Sequence, residues 1–307
     1  MNNTIVTACN KSYLWGAYLL IASIRLNQGL TPIHVLVSGL NTDEIKLLEQ
    51  FERVKVIVAN SPFMHLEKPS AIMSAETEYI TWVDADCIVI GNVDKLLIPA
   101  HQGLQIRFRE KEENASVFSK RYSRDDSIGD IPKNILKSWQ KDVNERQFSR
   151  VNKQCVTNFI SLHRRHLPFI QKWQTQIERV CVKPSQPVNR HSKAYFMTDE
   201  SILSSLFSFS HKVPELSGYE LNKDPHNFLM HFGQSGKPWI RWRQPHLKFY
   251  DYVMAILDKL RDQHYTLPKL PYSLDLRYKV QTHLVTYLYQ YYLNARHTTS
   301  SILFSIR

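Results

Sequence analysis

From residue 4 to residue 90 two kinds of apolar run alternate, and this alternation limits the fold more than any other feature. TIVTAC, IHVLVS, VKVIVA and YITWVDADCIVI are short and rich in β-branched residues, the composition of buried strands. Between them, Leu14 to Asn27, NTDEIKLLEQF and a stretch from about Pro69 read as helices. Asn41 or Thr42 serves as N-cap of the second, with Asp43 and Glu44 in its first turn. The β-α-β-α-β-α-β order implies an α/β fold whose mostly parallel sheet is covered on both faces. In such sheets ligands bind at the carboxyl ends of the strands.

Residues 107–154 change character. They are polar and of mixed charge, and read as a partly helical excursion, a lid or an acceptor-side segment. Asp125 and Asp126 within it read as solvated loop. CVTNFISLHRR and the helix LPFIQKWQTQIERV return to a core-like pattern, and a further helix starts at Thr198. NFLMHFGQSGKPW closes the compact part. One domain over 1–240 is therefore expected, followed by a helical appendage over 241–307 rich in Tyr, Leu and basic residues.

The 307 residues are 43% hydrophobic and 11% aromatic, enough to bury a core. Lys and Arg number 39 against 28 Asp and Glu, a net charge of +11 that favours anionic partners. The basic residues are spread along the chain and the aromatics sit at core-like spacing, so no nucleic acid is expected as a partner. A nucleotidyltransferase of the sugar-nucleotide pyrophosphorylase kind needs a Gly-rich phosphate loop near its start, and TACNKSYLWG has none. Cys9, Cys87, Cys155 and Cys181 form no C-x-x-C pair; Cys9 and Cys87 lie in apolar strand-like runs and read as buried free thiols, and a reducing, cytoplasmic compartment is expected. Tyr13 to Leu26 is apolar but lacks a preceding basic region and a cleavage site, so it reads as a buried helix.

YITWVDADCIVIGNV sets two carboxylates, Asp84 and Asp86, in an apolar run. An unpaired buried carboxylate is very costly, so these two need partners. On a strand, side chains two apart point the same way, and both could reach one hard cation. The alternative is one exposed Asp and one turn-capping Asp. HFGQSGKPW offers His231 as a nitrogen ligand, Gly233 and Gly236 for close backbone approach to a phosphate, and Lys237 as a positive charge. Its alternative is a surface turn with a packed Trp239.

Together these motifs resemble those of the family 8 glycosyltransferases of the GT-A fold. That group includes the bacterial lipooligosaccharide galactosyl- and glucosyltransferases and glycogenin. The resemblance runs over roughly residues 4 to 240. It rests on YITWVDADCIVIGNVDKL, on HFGQSGKPW as the family's H-x-G-x-x-K-P-W, on TACNKSY, and on VPELSGYELN as its L-P-x-x-x-N turn. It implies transfer of a hexose from a UDP-sugar to a saccharide or glycolipid acceptor. Asp84, Asp86 and His231 would hold Mn²⁺ or Mg²⁺. Gly233, Gly236 and Lys237 would contact the diphosphate, and Ala8, Asn10 and Tyr13 the uridine. Lys68 and Asn158 would touch the sugar or a phosphate, with Asp199 and Glu200 beside the anomeric carbon. The chain departs from the family pattern at Asn158-Phe159-Ile160, where N-A-G is usual, at Asn10, where a carboxylate is common, and at Glu200, where Gln is usual.

Two features stay open. Glu200 is either a nucleophile or an acidic residue that complements a helix start. Leu276 to Arg307 has no acidic residue, and Leu284, Leu288 and Tyr291 fall at helical spacing. It is either a packed helix or a segment lying on an anionic membrane at its cytoplasmic face.

Overall fold

The strands form where β-branched runs were expected, and they sort their side chains between two cores. The computed structural model describes residues 2–61, 63–95, 97, 103–180, 194–217, 229–233 and 236–305. Strands β1 (Asn3–Asn10), β2 (Ile33–Ser38), β3 (Val54–Val58) and β4 (Tyr79–Val83) alternate with helices α1 (Leu14–Leu26), α2 (Thr42–Glu49) and α3 (Lys68–Met73). After β5 (Cys87–Val89) come β6 (Leu104–Phe108), α4 (Lys111–Phe118), α5 (Lys133–Val143), β7 (Cys155–His163), α6 (Leu167–Val180) and α7 (Asp199–Phe209). Short β8 (Leu216–Ser217) and β9 (Leu229–His231) precede α8 (Tyr250–Asp262) and α9 (Lys279–Ser305). The main sheet has the order β3-β2-β1-β4-β7-β6-β8. Its first four strands are mutually parallel, and β7 runs antiparallel to both β4 and β6. This is the mostly parallel α/β sheet that the alternation implies.

Along β2, Ile33, Val35 and Val37 face one core while Leu36 faces the other, the period-two signature of a strand buried on both sides. Helix α1 is buried over Leu14 to Ile24 because it packs against both β5 and α8. Asn41 caps α2 in a reciprocal pair with Glu44. Cys9, Cys87 and Cys155 are free and buried; Cys181 lies outside the described residues.

Three expectations change. YITWVDADCIVI is not one strand. It breaks after Val83, and Asp84-Ala85-Asp86 forms a turn before β5, which leaves the main sheet to pair with β9. Continuing the strand would have driven both carboxylates into apolar packing; the break puts them at its open end. Residues 107–154 supply core: Phe118, Ile135 and Trp139 are fully or almost fully buried with the second face of the sheet. Asp126 there closes a turn by accepting from the N–H groups of Ser123 and Lys133. After residue 240, Trp242, Tyr250, Val253, Leu257 and Leu260 join the same core as α1.

Candidate functional site

A cleft of about 580 Å³ opens at the carboxyl ends of β1 and β4. Ala8, Asn10 and Tyr13 line one side and Lys68, Asp84 and Asp86 the floor, with Asp199 and Glu200 at the start of α7 opposite. His231, Gly233, Gly236, Lys237 and Asn158 are not in that lining. The first four approach from behind Asp86. Asn158 instead gives its carbonyl to the N–H of Asp84 at 2.9 Å, and its Oδ1 is buried without a partner among the described residues. Its neighbour Thr157 faces the cleft. Residues 218–222 of the VPELSGYELN stretch lie outside the described residues.

The two carboxylates of the turn diverge. Asp84 Oδ1 accepts from Trp82 Nε1 at 2.8 Å and pairs with Lys68 Nζ at 2.8 Å. Asp86 instead meets Lys237 Nζ through Oδ2 and His231 Nε2 through Oδ1 at 3.4 Å. Backbone pairing brings these residues together: β5 and β9 run antiparallel with Cys87 opposite His231, and Phe232 N–H donates to the Asp86 carbonyl at 2.9 Å. The ligand-type atoms of Asp86, Cys87 and His231 lie within 4.8 Å of one another. This differs from the expected trio of Asp84, Asp86 and His231, because Lys68 draws Asp84 the other way.

Lys68 is nearly inaccessible to solvent and was read from sequence only as a donor contact. It also pairs with Asp199 at 2.9 Å and donates to Thr157 Oγ1 at 2.9 Å. Glu200 is bound by Arg109 Nη2 at 2.7 Å, a contact with no signal in the sequence. The four carboxylates therefore face three cations: Asp84 and Asp199 share Lys68, Asp86 has Lys237, and Glu200 has Arg109. Burial would raise the Asp86 carboxyl, but His231 and Lys237 outweigh it and hold it well below the usual range. Burial, with the charge of Asp86 beside it, pushes Asp84 up despite Lys68. Asp199 is kept low against burial by Lys68 and the Thr157 hydroxyl. Glu200 is raised by burial, with Arg109 opposing. Burial would lower His231; its hydrogen bond to Asp86 raises it instead.

Two backbone features hold these groups. Thr198, just before α7, sits at φ 49°, ψ −117°, a conformation a β-branched residue rarely takes. Strain of this kind persists only where surroundings over-determine it, and here it leads the chain into Asp199 and Glu200. Gly16 is the second. A Cβ there would lie 2.5 Å from the Ala85 carbonyl and 2.6 Å from the Trp239 ring. Helix α1, the Asp84–Asp86 turn and the Lys237–Trp239 corner thus meet at a point with no room for a methyl group. Trp239 completes the wall with an edge-on contact to Tyr13, ring centres 5.9 Å apart, and a bond from Nε1 to the Ser12 carbonyl. Gly16→Ala is expected to cost about 1–3 kcal/mol through overpacking. Because Ala85 lies between the two acids, the Asp84–Asp86 turn would have to shift with it. A denaturant midpoint checks this; a wild-type value would refute it.

No family model matches the chain, and no curated protein matches its sequence. Solved structures do match its fold. The WbbM bifunctional glycosyltransferase superposes with a TM-score of 0.54 at 15% identity over 83% of this chain, which spans 49% of that protein's chain. The galactosyltransferase LgtC, in complex with donor and acceptor sugar analogs, gives 0.52 at 14% identity over 87% of this chain and 98% of its own. The glycosyltransferase GlyE of Streptococcus pneumoniae TIGR4 gives 0.52 at 13% identity over 87% and 66%. At these identities the likeness is one of architecture: the chain has the GT-A fold of these glycosyltransferases.

Proposed function

We propose that this protein is a metal-dependent, retaining glycosyltransferase that moves a hexose from a UDP-sugar to a saccharide or glycolipid acceptor, in surface polysaccharide or lipooligosaccharide synthesis. The observation that carries this is the meeting of His231 and Lys237 with Asp86, which itself stands on the floor of a cleft whose opposite wall bears Asp199 and Glu200. Nothing in a fold requires a carboxylate, an imidazole and an ammonium at one open strand end. Binding a cation and a diphosphate together does.

The residues fit a divalent ion. Asp86 supplies a hard oxygen and His231 a nitrogen, a set suited to Mn²⁺ more than to Mg²⁺. Cys87 offers a soft sulfur, a poorer match for such a hard ion than oxygen or nitrogen. When bound, the ion supplies Lewis-acid neutralisation of charge on the departing diphosphate. Asp84, two residues away in the same turn, would be a third ligand, through oxygen, if its pairing with Lys68 gave way. Lys237, with the backbone at Gly233 and Gly236, holds the diphosphate, and Ala8, Asn10 and Tyr13 hold the uridine. Lys68 and Asn158 orient the sugar, and Asp199 and Glu200 flank the anomeric carbon.

A thermal-shift panel of UDP, UDP-glucose and UDP-galactose, with and without Mn²⁺, tests this. A nucleotide at about 100 times its Kd stabilises the folded state by about 2.7 kcal/mol. A rise in melting temperature with nucleotide plus Mn²⁺ is expected. No rise with any of them sinks the reading. Release of pyrophosphate during turnover would point to a nucleotidyltransferase instead.

The glycolipid part of the proposal draws on α9. Thr282 and Thr286 are buried against the body of the protein, and His283 packs edge-on against Tyr250, ring centres 5.0 Å apart. The outer face exposes Val280, Leu284, Tyr287, Leu288, Tyr291 and Tyr292. No helix among the described residues is long and apolar enough to cross a membrane. An apolar, aromatic face on a helix that itself carries no acid suits the surface of an anionic membrane at the cytoplasmic face, with Arg296 as its basic residue, since Arg277 and Lys279 are paired with Asp275 and Asp251. Leu284→Glu with Leu288→Glu should abolish co-sedimentation with phosphatidylglycerol vesicles while leaving UDP binding unchanged. Equal sedimentation of the variant would remove the membrane from the proposal.

A further inference from the structure

Arg109 belongs to none of the motifs, yet it holds one of the two acids at the start of α7. Its Nη2 lies 2.7 Å from Glu200 Oε2, and each side chain is only 14% exposed. The arginine is fixed from behind. Its N–H donates to the Gln154 carbonyl at 2.8 Å, extending the β6–β7 ladder past an irregularity between Ile106 and Arg107. Such irregularities re-aim side chains at sites. Arg107 is engaged by Glu113 at 2.7 and 3.2 Å, and so does not compete for Glu200. Glu200 is fixed as firmly: it follows the strained Thr198, and its carbonyl accepts from Cys155 Sγ at 3.5 Å. Glu200 lines the cleft, and Oε1 has no hydrogen bond among the described residues.

We infer that Arg109 and Glu200 work as one unit: Arg109 is a positioning residue that keeps Glu200 a fixed anion, one oxygen bound to the guanidinium and the other left for a hydroxyl of the sugar substrate. This rests on the glycosyltransferase reading above. A charge-assisted bond at 2.7 Å orients the carboxylate and draws on the electron pair an attack would need. Swinging Glu200 onto the anomeric carbon would leave a guanidinium without its anion in a nearly dry site. Glu200 therefore forms no bond to carbon. It receives a hydrogen bond from the sugar and keeps its charge throughout, facing Arg109 on one side and Asp199, Lys68 and Cys155 on the others.

A four-protein cycle tests the unit: wild type, Arg109→Met, Glu200→Gln and the double variant, with Arg109→Lys as the charge-conserving control. The readouts are Mn²⁺-dependent hydrolysis of UDP-glucose and UDP-galactose, its pH profile, and intact-protein mass. Each single variant should lose about 100-fold in kcat, the order expected when a positioned group is displaced by about 1 Å. The double variant should lose about the same 100-fold as either single and not the product of the two losses, because residues that act as a unit fail together. Arg109→Lys should retain more activity than Arg109→Met. In Arg109→Met the Glu200 carboxyl, already raised by burial, loses the guanidinium that opposed this. Its anionic fraction then falls at low pH, and the rate should climb as pH rises, beyond any slope in wild type. A double variant whose loss is the product of the two single losses overturns the unit, as does one restored to wild-type activity or a glycosyl adduct on Glu200. Singles that change melting temperature but not kcat overturn it too, since the pair is then structural only. A wild type that neither binds UDP nor hydrolyses either donor overturns the glycosyltransferase reading, and this inference with it.

Discussion

Asp86→Asn is expected to abolish sugar transfer and to destabilise the protein at once. The carboxylate is the shared partner of His231 and Lys237, and Lys237 is almost wholly buried. An amide keeps the shape but removes the charge that fits a cation and that balances the lysine. On the proposed reading, a divalent ion held there would contribute several kcal/mol to the transition state; taking about 4 kcal/mol at about 1.36 kcal/mol per tenfold gives a loss of about 10³-fold. Mn²⁺-dependent UDP binding should disappear with it. The stability cost is that of a buried ammonium left with a neutral acceptor, about 1–3 kcal/mol. It is limited because Lys237 also donates to the Phe232 carbonyl at 2.6 Å. Turnover and a denaturant midpoint on the same sample measure both. Near-full activity in the variant would defeat the proposed role of the turn; lost activity with unchanged stability would show that Lys237 does not depend on Asp86.

Lys68→Met should be the most damaging single change to stability in the cleft. Lys68 serves Asp84 at 2.8 Å and Asp199 at 2.9 Å, and its ammonium stands 5.4 Å from the centre of the Trp82 ring. Removing it strands two buried carboxylates. Breaking a buried pair in this way costs about 3–5 kcal/mol. One acid must then take up a proton, so its folded-state pKa moves above its unfolded value. Stability carried by such a group is present at low pH and is lost as pH rises through the folded pKa. The variant should therefore lose more relative to wild type at pH 8 than at pH 5. Urea midpoints at both values decide it; a loss below about 1 kcal/mol with no pH dependence would mean that Lys68 carries little of this load.

The parallel half of the sheet was legible because its strands are short, β-branched and separated by helices of the right length. The start of α2 was legible, with Asn41 or Thr42 as its cap, and the structure selects Asn41, which pairs reciprocally with Glu44. The Asp-x-Asp and H-x-G-x-x-K-P-W stretches stood out because they put ionisable residues among apolar ones. What escaped was set by contacts across the chain. Nothing local tells Asp84 to turn toward Lys68 and Asp86 toward Lys237; a strand would have kept them together. Asn158 was chosen over Thr157 by likeness to a motif, yet Thr157 is the one bonded to Lys68 and Asp199. Arg109 was hidden in a run of mixed charge, where every arginine reads as solvated. In that same stretch α5 did carry a signal: Ile135, Trp139 and Val143 recur every four residues and are all buried. The density of charge around them masked it.

The three-residue ladder between β5 and β9 also has a bearing on when the protein becomes competent during synthesis. Strands β1 to β4 are complete before residue 84, and with the segments between them they supply Ala8, Asn10, Tyr13 and Lys68 to the cleft. The ammonium that meets Asp86 arrives 151 residues later in the chain. Closing so long a loop is entropically slow, and non-local pairings of this kind form late. A nascent chain emerging from the ribosome at about 5–20 residues per second therefore spends about 8–30 seconds with Asp86 unmatched, while Asp84 already has Lys68. Nucleotide affinity should switch on in one step when β9 and Lys237 dock, making UDP retention a reporter of completed folding.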